Sequence, residues 1–296
     1  MVNPVNLEQL NQSDLEKFLA SFDHVFSDCD GVIWAKTPIP GSGDFIELMK
    51  RLGKTVHFVS NNSIRTQKNY EDLFKAAGIE SGYENLTVPS QAIAEFLKSE
   101  NFDKSVYCVT CPETIEVLKA SGFKCKDGPD LGAEFYAEYQ QYLEDDEEIG
   151  AVVFDSDFKV NIPKMYKAIT YLERPEVIFI NGASDKYIPL KPGSLSLGTG
   201  IFSELVASES KREPVQLGKP GKMFGEFAMK RAGVTDPSRV LFIGDMIDQD
   251  VGLGKACGFQ TLLVLTNIPE DEMMAHPTTK PDYYAKSLGS LVPLLS

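Results

Sequence analysis

Asp28 and Asp30 lie in the run Asp28-Cys29-Asp30-Gly31-Val32, directly after the apolar stretch His24–Ser27. Two carboxylates one residue apart at a strand end can project into one site. One can attack a phosphorus atom and become an acyl phosphate. The other can protonate the leaving oxygen and later take a proton from water. Gly31 lets the chain turn tightly behind them. Taken alone, the motif also fits a plain turn whose aspartates cap backbone groups.

A second apolar run, Val240–Ile243, ends in Gly244-Asp245, with Asp248 and Asp250 close behind. A hard cation such as magnesium takes oxygen ligands. Asp28 and Asp245 on neighbouring strand ends can share one, which also relieves the repulsion between two carboxylates and an anionic substrate. Asp250 fits a supporting partner better than a direct ligand. The same segment also reads as a helix start capped by Asp248 or Asp250. A third run, Thr55–Val59, leads into Ser60-Asn61-Asn62-Ser63. Its hydroxyl, amide and backbone donors suit phosphate oxygens, although Ser and Asn are also common helix caps. Lys219, in Leu217-Gly218-Lys219-Pro220, can neutralise a phosphoryl group. A lone lysine in a Gly-Pro turn is more often a surface residue. Phosphoryl transfer needs mostly positioning and charge stabilisation, and these segments supply both when taken together.

The elements that must position them are short continuous apolar strands separated by helical stretches, the pattern of a parallel sheet covered on both faces. Helices are expected over Gly43–Leu52, Thr66–Ala77 and Gly221–Ala232. The middle alternates again. Strands are expected at Ser105–Val109, Ala151–Phe154 and Val177–Ile180, with helices at Pro112–Ser121 and Ile162–Leu172. This is a smaller α/β unit inserted into the first. The acidic run Glu144–Glu148 reads as a solvated loop. The end of the chain, from Pro281, reads as a short strand and a closing helix. The expected class is α/β, with a doubly wound (Rossmann-like) parallel-sheet core and an inserted α/β domain.

The 296 residues favour two domains, and 43% apolar residues suffice for a core. A net charge of -14 argues against a nucleic-acid partner. No apolar run approaches a membrane span, and no signal-peptide core is visible. The five cysteines show no framework spacing, which suits a reduced, cytoplasmic compartment. Cys108 and Cys111 form a C-x-x-C, but a structural zinc needs four ligands, so buried or incidental cysteines are expected. Cys29, between two carboxylates, is not expected to form a catalytic thiolate. Trp34 reads as packing at a domain hinge.

These motifs resemble the haloacid dehalogenase (HAD) superfamily in its large-cap branch, the group of 4-nitrophenylphosphatases, phosphoglycolate phosphatases and pyridoxal phosphatases (chronophin). FSDCDGVIW at 26–34, FVSNNS at 58–63, LGKP at 217–220, GDMIDQD at 244–250 and PDYYAKSL near the end carry the resemblance. It implies a magnesium-dependent phosphatase with Asp28 as nucleophile and metal ligand. Asp30 is then the general acid/base and gives its carbonyl to the metal. Asp245 is the remaining ligand, Asp250 supports the site, and Ser60, Asn61, Asn62 and Lys219 hold the phosphate. It further implies a core of residues 1–96 and 206–296, a cap over 97–205, and a homodimer formed through the cap.

In such caps a specificity loop often reads T-N-x-D. Here Asp185 matches the aspartate by spacing, and Ala183 stands where Asn is usual. Pyridoxal phosphatases of the group carry a histidine where Ile188 sits, next to Tyr187. Isoleucine cannot donate to a polar ring substituent. That shifts the expected substrate from pyridoxal 5'-phosphate toward phosphoglycolate or a range of small phosphorylated metabolites. Phosphoprotein hydrolysis, a phosphotransferase, and a phospho-aspartate signalling module are the competing readings. The last needs no inserted cap.

Overall fold

The computed structural model describes residues 3–80, 82–129, 144–191 and 194–296. Its strands, in chain order, begin with β1 (Val5–Asn6), β2 (His24–Ser27), β3 (Thr55–Val59) and β4 (Leu86–Thr87). Then come β5 (Ser105–Thr110), β6 (Lys124–Asp127), β7 (Ile149–Asp155), β8 (Ile178–Asn181), β9 (Tyr187–Lys191), β10 (Ser194–Leu197) and β11 (Val215–Gln216). The chain finishes with β12 (Val240–Gly244), β13 (Gln260–Val264) and β14 (Tyr283–Ala285). Two compact units result. The first comprises Met1–Ser60, Arg65–Thr87 and Lys219–Ser296, the second Asn61–Ile64 and Val88–Gly218.

In the first unit seven parallel strands lie in the order β1-β14-β13-β12-β2-β3-β4. From β2 the chain winds one way to β3 and β4. It later returns on the other side of β2 with β12, β13 and β14. The β2/β12 boundary is therefore a switch point, where a crevice opens beyond the carboxyl ends of the strands. Phe26 of β2 and Phe242 of β12 both meet Phe259, with ring centroids 5.8 and 6.3 Å apart. All three rings are buried, each stabilising the sheet by about 2–3 kcal/mol. The helix Gln67–Ala76 starts where Thr66 and Asn69 cap each other's backbone amides. The helix Lys222–Ala232 stops at Gly233, which takes the left-handed backbone of a helix end without a side-chain penalty. Trp34 is fully buried against Tyr70 and Phe74.

The second unit holds a parallel sheet in the order β11-β8-β7-β5-β6 and an antiparallel hairpin of β9 and β10. Its core gathers Tyr107, Phe154, Phe179, Tyr171, Leu172 and Val206. It is wider than the 97–205 span read from the sequence. The helix Pro89–Ser99 packs on the helix Pro112–Ala120 at one end, and β11 extends the sheet beside β8 at the other. The acidic loop at 144–148 is indeed irregular, but it is not merely solvated: Lys126 pairs with Asp146 and Glu148 at 2.6 and 2.8 Å. Among the described residues no helix is long and apolar enough to cross a membrane.

Candidate active site

The turn after β2 folds back at once. The carbonyl of Cys29 accepts from the amide of Ile33 at 2.8 Å, and that of Trp34 from the amide of Gly31 at 2.7 Å. Gly31 has φ +79°, and a side chain there would run into the Asp245 carboxylate. The hydroxyl of Thr266 donates to the Gly31 carbonyl. The turn therefore lies directly against Asp245, the residue that follows β12.

Beyond β12 the chain makes one wide π turn over Ile247–Val251, which swings Asp250 back under the strand end. Gly244 leaves room for it, since a side chain there would strike the Asp250 carboxylate. Oδ2 of Asp250 accepts from the amides of Asp245 and Met246 at 3.0 and 2.9 Å. Its Oδ1 lies 2.7 Å from Nζ of Lys219, and that ammonium is 2.9 Å from Oδ1 of Asp28. Lys219 is 3% exposed, so it is a buried counter-charge and not a surface lysine.

Ligand oxygens of Asp28, Asp245 and Asp250 lie within 4.8 Å of one another. Three buried carboxylates against one ammonium leave excess negative charge. Burial first, and then Asp250, push the Asp28 carboxyl up to about 7, although Lys219 pulls the other way. Burial, followed by Asp250 and Asp28, raises Asp245 well above the ordinary range. Burial opposes the Lys219 ammonium, but Asp250 and Asp28 carry its pKa above the usual lysine value. Oδ2 of Asp245 accepts from Nδ2 of Asn267, whereas its Oδ1 is buried with no hydrogen-bond partner among the described residues. An orphaned carboxylate oxygen beside a second crowded carboxylate fits a hard divalent cation. Both oxygens of Asp250 are already engaged, which leaves Asp28 and Asp245 as the carboxylates of the cluster with oxygens to offer such a cation.

Asp30 does not join this cluster through its side chain. Its carboxylate is gripped on both oxygens by the Arg65 guanidinium, with Nη2 at 2.6 Å from Oδ1 and Nη1 on Oδ2. Arg65 itself lies 5.7 Å over the Tyr70 ring. Ser60, at the end of β3, receives the Tyr70 hydroxyl at 3.4 Å. Cys29 is buried, and burial followed by Asp28 and Asp30 pushes its thiol well above the ordinary value.

The other expected residues lie in the second unit. Nδ2 of Asn61 donates to Oδ2 of Asp185 at 3.0 Å, and Oδ1 of Asn62 accepts from the Ile64 amide at 3.2 Å. Tyr187 and Ile188 open the hairpin opposite Leu197 and Ser196, with Tyr187 exposed. Sequence reasoning missed Arg65, Thr266 and Asn267. Thr266 and Asn267 follow β13, a strand also missed, and looking just past that apolar run would have found them.

A haloacid dehalogenase-like hydrolase family model matches residues 25–124, and a HAD-hydrolase-like model matches residues 216–291. Phosphoglycolate phosphatase 2 of Arabidopsis thaliana is 32% identical over 295 residues, 97% of each chain. Glycerol-3-phosphate phosphatase of Rattus norvegicus is 28% identical, over 98% of this chain and 96% of its own. A p-nitrophenyl phosphatase structure from Archaeoglobus fulgidus superimposes with a TM-score of 0.77 at 31% identity, over 92% of this chain and 99% of the other. The chain belongs to the haloacid dehalogenase-like hydrolases. Within them it is a phosphatase.

Proposed function

We propose that this phosphatase hydrolyses small phosphorylated metabolites with magnesium, through an aspartyl-phosphate on Asp28. The observation that carries the reading is the buried Asp28 at the switch point, in one cluster with Asp245, Lys219 and Asp250. A carboxylate oxygen of Asp28 attacks phosphorus while the ester oxygen departs with a proton from Asp30. Water then attacks phosphorus, Asp30 takes its proton, and phosphate leaves with Asp28 restored. Lys219 offsets the charge of the transferring group. Magnesium, bound by Asp28 and Asp245 with the carbonyl of Asp30, would polarise the phosphate oxygens. Ser60, Asn61 and Asn62 supply further donors to those oxygens. The bidentate Arg65 contact orients the Asp30 carboxylate in its ionised form, and one of the two bonds must open for Asp30 to carry the proton it delivers.

The second unit acts as the cap, admitting the leaving group and excluding water, and it is the surface for a homodimer. Phosphoglycolate is the first substrate to try, given the names of the relatives and the aliphatic Ile188 in the loop. Five unpaired cysteines support a reducing, cytoplasmic compartment. The test is a panel of phosphate esters with magnesium, including phosphoglycolate, glycerol 3-phosphate, 4-nitrophenyl phosphate and pyridoxal 5'-phosphate. Release of inorganic phosphate by the wild type, and its loss in a folded Asp28→Asn variant, is expected. Undiminished release by that variant overturns the reading.

A further inference from the structure

Asp155 ends β7 with its side chain 1% exposed, and among the described residues it forms no ion pair. Its charge is met by neutral donors. Oδ2 accepts from the Thr114 hydroxyl at 2.8 Å, and Oδ1 from the Ser156 hydroxyl at 3.3 Å and the Ala183 amide at 3.1 Å. Gly182 packs straight onto it: a Cβ there would stand 2.7 Å from the carboxylate carbon. A fully buried carboxylate is costly to keep unless its geometry serves something. The group it touches is the start of the loop that carries Asp185.

That loop is held at several other points. Nε2 of Gln216 donates to the Gly182 carbonyl at 2.7 Å. The amides of Gly200 and Gly198 donate to the carbonyls of Asp185 and Lys186 at 3.1 and 2.7 Å. Asn61 holds the Asp185 carboxylate. Of these, Asp155 grips the residue directly between the sheet and the polar tip. The Ala183 amide points back to Asp155, so the backbone there is fixed two residues before Asp185.

We propose that Asp155 is a positioning residue for substrate choice: by holding the Ala183 amide it fixes where Asp185 and Tyr187 stand. This rests on the phosphatase reading. A loop residue that discriminates leaving groups must be held in one place, because a slack loop loses selectivity before it loses chemistry. Asparagine at position 155 keeps an oxygen for Ala183 and turns its amide toward the Thr114 hydroxyl, which can accept. Alanine takes that acceptor away from the Thr114 and Ser156 hydroxyls and the Ala183 amide alike.

The experiment compares wild type, Asp155→Ala and Asp155→Asn with magnesium on 4-nitrophenyl phosphate and phosphoglycolate, alongside amide hydrogen exchange over residues 179–187. In Asp155→Ala, kcat/KM for phosphoglycolate is expected to fall about tenfold further than for the aryl ester, through KM. Exchange at Ala183 and Ser184 quickens. Asp155→Asn restores both readouts to within about threefold of wild type. If Asp155→Ala does not fold, Thr114→Val, which removes one donor only, shows the same divergence at smaller size. Equal loss on both esters, or unchanged exchange in the loop, overturns the proposal. A wild type inert on every ester refutes the phosphatase reading instead, and the exchange result still decides whether Asp155 holds the loop.

Discussion

Replacing Asp28 with asparagine should abolish turnover and, without metal, make the protein more stable. The Asp28 carboxyl is pushed from 3.8 up to about 7 in the folded chain, chiefly by burial and then by Asp250. A carboxyl raised in this way favours the folded state at low pH and loses that advantage as pH climbs from 3.8 to about 7. At about 1.4 kcal/mol per pH unit, the span amounts to roughly 4 kcal/mol of strain at pH 7.5. Asparagine keeps the shape but still buries a polar amide, so about 2 kcal/mol of it should be recovered. The assay is urea unfolding with EDTA from pH 5 to 8, wild type against Asp28→Asn. The variant's advantage should grow with pH and flatten above 7. Saturating magnesium should cancel or reverse it, because only the wild type offers both carboxylates. A variant less stable than wild type at pH 7.5 in EDTA would refute the claim that this carboxylate is held at a cost.

Four further outcomes follow from the same geometry. Magnesium at about a hundred times its Kd should raise wild-type stability by about 2.7 kcal/mol, read as a thermal shift that EDTA reverses. Lys219→Met leaves Asp28 and Asp250 facing one another without a counter-charge. It should cost about 3–5 kcal/mol at pH 8 in EDTA and less at pH 5, where protons replace the ammonium, as urea titrations would show. His57 is buried against the Thr87 hydroxyl at 2.7 Å, and burial lowers its pKa from 6.5 to about 4. The folded chain refuses a proton that the unfolded chain takes, so stability falls as pH drops from 6.5 to about 4, by up to about 3 kcal/mol. His57→Gln should remove that slope while leaving the one from Asp28. Gly31→Ala forces a side chain into a positive φ and into the Asp245 carboxylate. It should destabilise by about 1–3 kcal/mol and weaken magnesium binding in calorimetry.

The strand-end residues were legible because each follows an apolar run that only a covered sheet can bury. His24–Ser27 and Thr55–Val59 are strands as read, and Val240–Ile243 extends by one residue. Asp28 and Asp245 could thus be paired before any coordinates. Gln260–Val264 carries the same kind of signal and was overlooked, and Thr266 and Asn267 went with it. The hairpin of β9 and β10 was not read: Pro189 argues against a strand at 187–191, and the alternation of Ser194-Leu195-Ser196-Leu197 lasts only four residues. Lys219 was picked out by the resemblance of its LGKP segment, whereas its own neighbours in sequence read as a surface turn, because its burial depends on Asp28 and Asp250, far away in the chain. Arg65 was hidden for the same reason, since its partner Asp30 lies on a different strand end. Asp155 was invisible as a site residue, because its meaning lies in which amide it meets.

Strands β2 and β12 are neighbours in the sheet although about two hundred residues separate them, with the whole of the second unit between. The cluster of Asp28 with Asp245, Asp250 and Lys219 is thus assembled from two stretches of chain that only the finished sheet brings together. On the proposed mechanism, a variant cut short of Val240 should therefore be inert however well its remainder folds.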